Sequence, residues 1–145
     1  MLRRAAAADV ARLTEWMRDD YAEAGYAFDA ARHGEAIRAL VADASLGRLW
    51  WIEDAGETAG YVALCFGWSL EYQGRDAFVD DLYLRPAFRR RGLGERALAA
   101  VEAEARALGV RRLHLEVERD NDAGRALYAR RGFLGNDRLL LSKPL

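Results

Sequence analysis

Apolar residues recur along this chain at two spacings, and the changes of spacing mark out its elements. Val10, Leu13, Trp16 and Met17 share one face at helical spacing, which predicts a helix from about Asp9 to Tyr21, after a short opening strand over Leu2 to Ala5. Gly25 ends that helix. Asp29 caps a second one, whose apolar stripe is Ile37, Leu40 and Val41. The texture then becomes short, aromatic and β-like. Leu49-Trp50-Trp51-Ile52 is followed by a turn at Asp54-Ala55-Gly56-Glu57 and a longer strand from Thr58 to Leu70. Gln73-Gly74 turns the chain again, into a strand from about Asp76 to Leu84, and Pro86 falls just past it because proline cannot donate to a ladder. Three strands joined by short turns predict an antiparallel meander.

Helical spacing returns from Gly92 to Leu108, in Leu93, Ala97, Leu98, Val101, Ala105 and Leu108, with Gly109 as the exit. Arg112 to Val117 alternates, setting Leu113, Leu115 and Val117 against His114 and Glu116. Ala123 to Arg131 reads as a short helix stopped by Gly132, and Arg138 to Lys143 as a last strand. The fold class is therefore α/β (α+β): a mixed, mostly antiparallel central sheet flanked by about four helices. No repeat or low-complexity linker divides residues 1–145, so the chain reads as a single domain.

Composition narrows the function classes. With 145 residues, 52% of them hydrophobic, the chain can bury a core without disulfides or metals. Lys+Arg at 22 nearly balances Asp+Glu at 23, which leaves no general electrostatic case for a nucleic-acid or membrane partner. Cys65 is the only cysteine, so neither an intramolecular disulfide nor a thiolate metal cluster can form, and a reducing, cytoplasmic setting fits. It lies in an apolar run, where an inert buried thiol is the simpler reading than a nucleophile. The opening Met1-Leu2-Arg3-Arg4 lacks the apolar stretch of a signal peptide or membrane span, so the chain reads as soluble. His33 and His114 are too few and too far apart to indicate a metal, and His114 should face solvent.

The most informative stretch runs from Val79-Asp80-Asp81-Leu82-Tyr83-Leu84 through Arg85-Pro86-Ala87-Phe88 to Arg89-Arg90-Arg91-Gly92-Leu93-Gly94. It sets a strand, a proline-marked turn, three arginines and two glycines at the opening of a helix. Helix N-termini carry unpaired N–H groups and partial positive charge, which suits an anion. Glycine lets a phosphate approach the backbone, and arginine adds charge. A short glycine pattern alone often means only a helix start. Ala97 would satisfy the third position of a dinucleotide fingerprint, but the turn sits past mid-chain with no full βαβ unit around it, and the Gly-Lys-Ser/Thr of a P-loop is absent.

Two ordered motifs carry a resemblance that covers nearly the whole chain. Arg89-x-x-Gly92-x-Gly94 resembles the Arg/Gln-x-x-Gly-x-Gly/Ala pyrophosphate loop of the GNAT superfamily of N-acetyltransferases. Asn121 to Phe133 is similar to that family's second cofactor segment, with Asn121, Tyr128, Gly132 and Phe133 in register. Arg90 stands where many relatives carry glycine, and Gly124 replaces an alanine. The resemblance implies acetyl-CoA as donor, no metal, and a primary amine as acceptor in direct transfer within a ternary complex. It implies that Leu82, Tyr83 and Leu84 hold the thioester and pantetheine through backbone groups. Arg89, Arg90, Arg91, Gly92, Leu93 and Gly94 would form the pyrophosphate loop, and Asn121 would contact the pantetheine arm. Tyr128 is implied as the general acid, since a phenol stays protonated near neutrality; a core tyrosine is the plainer alternative.

Asp80 and Asp81 are the local candidates for a base that frees the amine. Neighbours on a regular strand point to opposite faces, so both enter one cleft only if a bulge re-aims them. Among relatives resembling diamine acetyltransferases, an acidic residue aligned with Asp80 is the base, which ranks Asp80 ahead of Asp81; both could equally serve charged neighbours. Acidic and aromatic residues near the first two helices and the meander, Asp19, Asp20, Tyr21, Glu23, Tyr26 and Phe28, then Trp68, Glu71 and Tyr72, would suit a small cationic acceptor. A peptide acceptor, or a non-catalytic CoA-binding sensor, are the alternatives. Homodimers are common among similar proteins, although no sequence feature here calls for one.

Overall fold

The expected elements pack into one sheet with helices on both faces. The computed structural model describes all residues, Met1–Leu145. The order is β1 (Leu2–Arg4), α1 (Val10–Ala24), α2 (Ala30–Ala42), β2 (Gly47–Asp54), β3 (Glu57–Ser69), β4 (Gly74–Leu84), α3 (Leu93–Ala107), β5 (Arg112–His114) and α4 (Asp122–Arg130). The five strands lie in the order β1-β2-β3-β4-β5; β1 to β4 are antiparallel, and β5 joins β4 in parallel. No helix is long and apolar enough to cross a membrane.

Local chemistry sets the boundaries. α1 runs to Gly25, which takes a left-handed φ of 78° and receives the chain without a Cβ clash. The Asp29 side chain accepts the Arg32 N–H at 3.0 Å and starts α2. The meander strands are apolar on both faces because both are covered. Trp50, Ile52, Val62, Leu64, Ala77 and Val79 pack against Leu93, Ala97, Leu98 and Val101 of α3. Leu49, Trp51, Tyr61, Ala63 and Tyr83 point the other way, onto Val10, Leu13 and Met17 of α1 and Ile37 of α2.

Two sequence expectations fail in the last third. The strand expected over Arg112–Val117 stops at His114, because its partner β4 stays in register only as far as Phe78↔His114. The last strand expected over Arg138–Lys143 does not form. Residues 134–145 carry no helix or strand, and Leu139, Leu140 and Leu141 are 79%, 65% and 86% exposed. β5 offers an edge of only three residues, and the run Leu139–Leu141 lacks the period-two alternation that would give a strand one wet and one dry face.

Candidate active site

β4 creates the site by changing its register. Against β3, Ala63 pairs with Asp81 while Leu64 pairs with Val79, which leaves Asp80 as the extra residue of a β-bulge. A bulge bends its strand and re-aims side chains. Just before it, the parallel pairing with β5 ends. From there to Leu84 the β4 edge facing β5 is free, and the sheet opens into two adjoining cavities.

The first cavity, about 950 Å³, lies between the end of β4, the loop before α3, and α4. Leu82, Tyr83, Leu84, Arg89, Arg90, Gly92, Leu93, Gly94, Asn121 and Tyr128 all line it. Gly92 is the N-cap of α3 at a left-handed φ of 72°, and the Arg96 N–H to Gly92 O bond at 3.1 Å opens the helix. The N–H groups ahead of Arg96 therefore lack helical partners at the positive end of a 15-residue helix, which is the chemistry a pyrophosphate needs. A Cβ on Gly94 would press on Leu127 at 3.3 Å, so glycine there lets α4 close the groove. Arg90 holds a left-handed φ of 57° without being glycine. Arg91 leaves the groove and pairs with Asp54 at 3.5 Å. The Arg89 side chain also turns aside: its Nε donates to Leu84 O at 2.8 Å and its Nη2 to Glu23 at 2.7 Å.

The second cavity, about 490 Å³, adjoins the first. The bulge brings Asp80 and Asp81 into it together, with Asp20, Tyr21 and Tyr26 from α1 and its exit, and with Leu115 to Glu118 from the unpaired continuation of β5. Asp80 is exposed. Asp81 is largely buried, and desolvation, with the charges of Asp80 and Asp20, pushes its carboxyl up to about 7. The Tyr21 hydroxyl stands 3.5 Å from Asp81 Oδ2. Its own pKa is pushed up to about 12 by burial and by Asp81, so it stays a donor. Tyr61, fully buried, donates to Asp20 Oδ2 at 3.0 Å, and burial raises the Asp20 carboxyl as well. At the rim, Tyr26 donates to Glu118. Five carboxylates and three phenols make this cavity acidic and aromatic.

Asp20, Ala24, Leu82, Asn121 and Tyr128 border both cavities. Tyr128 is partly buried on α4, and desolvation raises its phenol above the ordinary value. Asn121 caps α4 by accepting the Gly124 N–H at 2.9 Å, which leaves its amide NH₂ available. A Cβ on Gly124 would come within 2.6 Å of that amide, so glycine at this position makes room for the cap.

Three of the sequence candidates, Trp68, Tyr72 and Phe28, lie outside the second cavity. Trp68 pairs with Arg75 and is 76% exposed; five residues separate it from Ala63, opposite Asp81, about 17 Å along the strand. Tyr72 stands with His114 and Arg112 in a different cavity. Phe28 packs behind Tyr21 and stacks on His33 at 4.4 Å. His114, expected to face solvent, is instead partly buried against Phe78 and lies 3.1 Å from Asp76. Cys65, half-buried, has its thiol pushed up to about 11 by burial, which keeps it protonated and inert. Of the acidic and aromatic residues the sequence offered, Asp20, Tyr21 and Tyr26 line the second cavity, and the fold adds Glu116 and Glu118, which carry no motif.

The chain matches the acetyltransferase (GNAT) family over residues 10–133. It is 37% identical over 75 residues to an uncharacterized N-acetyltransferase of Bacillus subtilis; that match spans 52% of this chain and 47%, about half, of the relative. An integron cassette protein from the mobile metagenome of Cole Harbour salt marsh is 38% identical, covering 99% of this chain and 90% of its own at a TM-score of 0.88. A protein of Clostridium acetobutylicum described as a predicted acetyltransferase and solved with acetyl-CoA shares the fold at a TM-score of 0.83, with 19% identity over 99% of this chain and 95% of its own.

Proposed function

Because the chain belongs to the acetyltransferase (GNAT) family, we propose that it moves an acetyl group from acetyl-CoA to a primary amine of a small cationic molecule, by direct transfer in a ternary complex. The observation that carries this reading is the meeting of an anion-suited groove and an acidic cavity at one tyrosine, Tyr128. The free N–H groups at the start of α3 would hold the pyrophosphate, with Gly92 and Gly94 leaving room. Backbone groups of Leu82 to Leu84, on the unpaired edge of β4, would hold the pantetheine and the thioester carbonyl, and the Asn121 amide would hold the arm from the other side.

In the acidic cavity, Asp80 takes a proton from the ammonium, and the neutral nitrogen then attacks the carbonyl. As the C–S bond breaks, the Tyr128 hydroxyl gives its proton to the departing sulfur, and the second proton of the nitrogen leaves to solvent as the amide forms. Asp81 and Asp20 supply the negative charge that draws in the cation. Below about pH 7 Asp81 holds a proton and this attraction weakens. The cluster of carboxylates favours a small cation over a peptide terminus, and a diamine would suit it well. The presence of Asp80 and Tyr128 beside the groove favours catalysis over a non-catalytic CoA sensor.

The test is an amine panel with free CoA thiol as readout. Diamines and other cationic amines should release CoA faster than neutral amines of equal size. Equal rates would remove the cationic acceptor, and no release above hydrolysis with any amine would remove the enzyme reading.

A further inference from the structure

The last turn of α1 is shared between the two cavities. It sends Tyr21 into the acidic cavity and Glu23 into the donor groove, and sets Asp20 on the border of both. Glu23 grips Arg89 through both carboxylate oxygens, one contact at 2.7 Å. Arg89 is in turn fixed by its Nε to Leu84 O at 2.8 Å, with its guanidinium 5.6 Å from the Tyr83 ring centroid. Three of its five N–H groups are thus committed to α1 and β4. The motif's arginine ties the loop to α1, and the loop meets an anion with its backbone.

On the acidic side the same turn is held unevenly. Asp20 accepts from the buried Tyr61 at 3.0 Å, but Tyr21 reaches Asp81 only at 3.5 Å, and beyond Gly25 the chain leaves α1 for an exposed connection that touches the opposite rim through Tyr26 and Glu118. An ordinary exposed ion pair contributes little to stability. The Glu23–Arg89 pair, with side chains 48% and 37% exposed, is no exception as an energy term. Its importance lies in geometry, because a two-oxygen fork on an arginine already fixed at Nε transmits position.

We propose that Glu23 is a positioning residue that couples the two sites: through Arg89 it fastens the Asp20–Tyr21 wall to the donor loop, so that anion capture by the loop orders the acceptor cavity. The inference rests on the donor-site reading above. Coupling of this kind is reciprocal, so acceptor binding would tighten donor binding by the same factor.

Amide hydrogen exchange of the full chain, with and without saturating CoA, tests it. In the wild type, CoA should slow exchange in residues 89–96 and also in residues 18–27, the latter by about fivefold. In Glu23→Gln the loop should still slow while residues 18–27 no longer respond. Glu23 is half-exposed, so that variant keeps the fold. Arg89→Lys, which keeps the charge but loses the fork, should behave like Glu23→Gln. A CoA response in residues 18–27 that survives in Glu23→Gln, as direct contact would give, overturns the proposal. So does a wild-type response confined to the loop. If CoA slows neither segment in the wild type, the donor-site reading itself fails and takes this inference with it.

Discussion

The donor groove and the acidic cavity share a wall but are built from different chemistry. The groove is shaped by backbone: a helix N-terminus, two glycines and the free edge of β4, with arginines whose charge does not vary near neutrality. The cavity is shaped by side chains, and its charge varies with pH, since Asp81 is pushed up to about 7 and Asp20 is raised. The contrast teaches that affinity for the donor should be almost independent of pH around neutrality, whereas capture of the acceptor should follow Asp81.

The sharpest break in that contrast comes from removing the base. Asp80→Asn should lower kcat/KM for the acceptor by about 10²–10⁴-fold while CoA affinity, read by calorimetry, stays put; an equal loss in both would merge the two sites. Tyr128→Phe should lower kcat by about 10²-fold, again with CoA affinity kept. An unchanged kcat would leave Tyr128 as a packing residue.

The pH arm is smaller and more specific. Wild-type kcat/KM should rise through about pH 7 as Asp81 ionises; Asp81→Asn should lose that limb, while Asp80→Asn keeps it at a lower level and moves it to lower pH, since the Asp80 charge helps to raise Asp81. Stability gives the same residue a second signature. Its folded value is raised, so the unfolded chain ionises first, and stability falls as pH climbs from about 4 to about 7. Asp81→Asn escapes that fall. It should therefore melt above the wild type at pH 8 and alongside it near pH 3; the reverse order would mean that Asp81 is stabilised in its charged form.

The mildest change probes the groove's backbone. Arg90→Gly relieves a left-handed residue at φ 57° and should stabilise the chain by about 1 kcal/mol in urea unfolding, with acceptor KM unchanged. A lower stability would show that the Arg90 side chain holds the loop.

The same division governs what could be read in advance. The helices follow from spacing, Gly25 and Asp29 mark a helix exit and a cap, and Ala55-Gly56 closes a hairpin at φ 50° and 83°. The arginine–glycine loop is likewise local, because its torsions and free N–H groups arise within a few residues. The tertiary structure alone decided that β4 bulges at Asp80, that β5 stops at His114, and that Leu115–Glu118 becomes a cavity wall. It also set Trp68 and Tyr72 outside the acidic cavity, brought Glu118 to Asp20 and Tyr21 within it, and left Leu139–Leu141 unpaired. The physical reason is range: a torsion preference or a helical stripe is fixed by near neighbours, whereas register and the meeting of side chains from four elements depend on where the sheet parts.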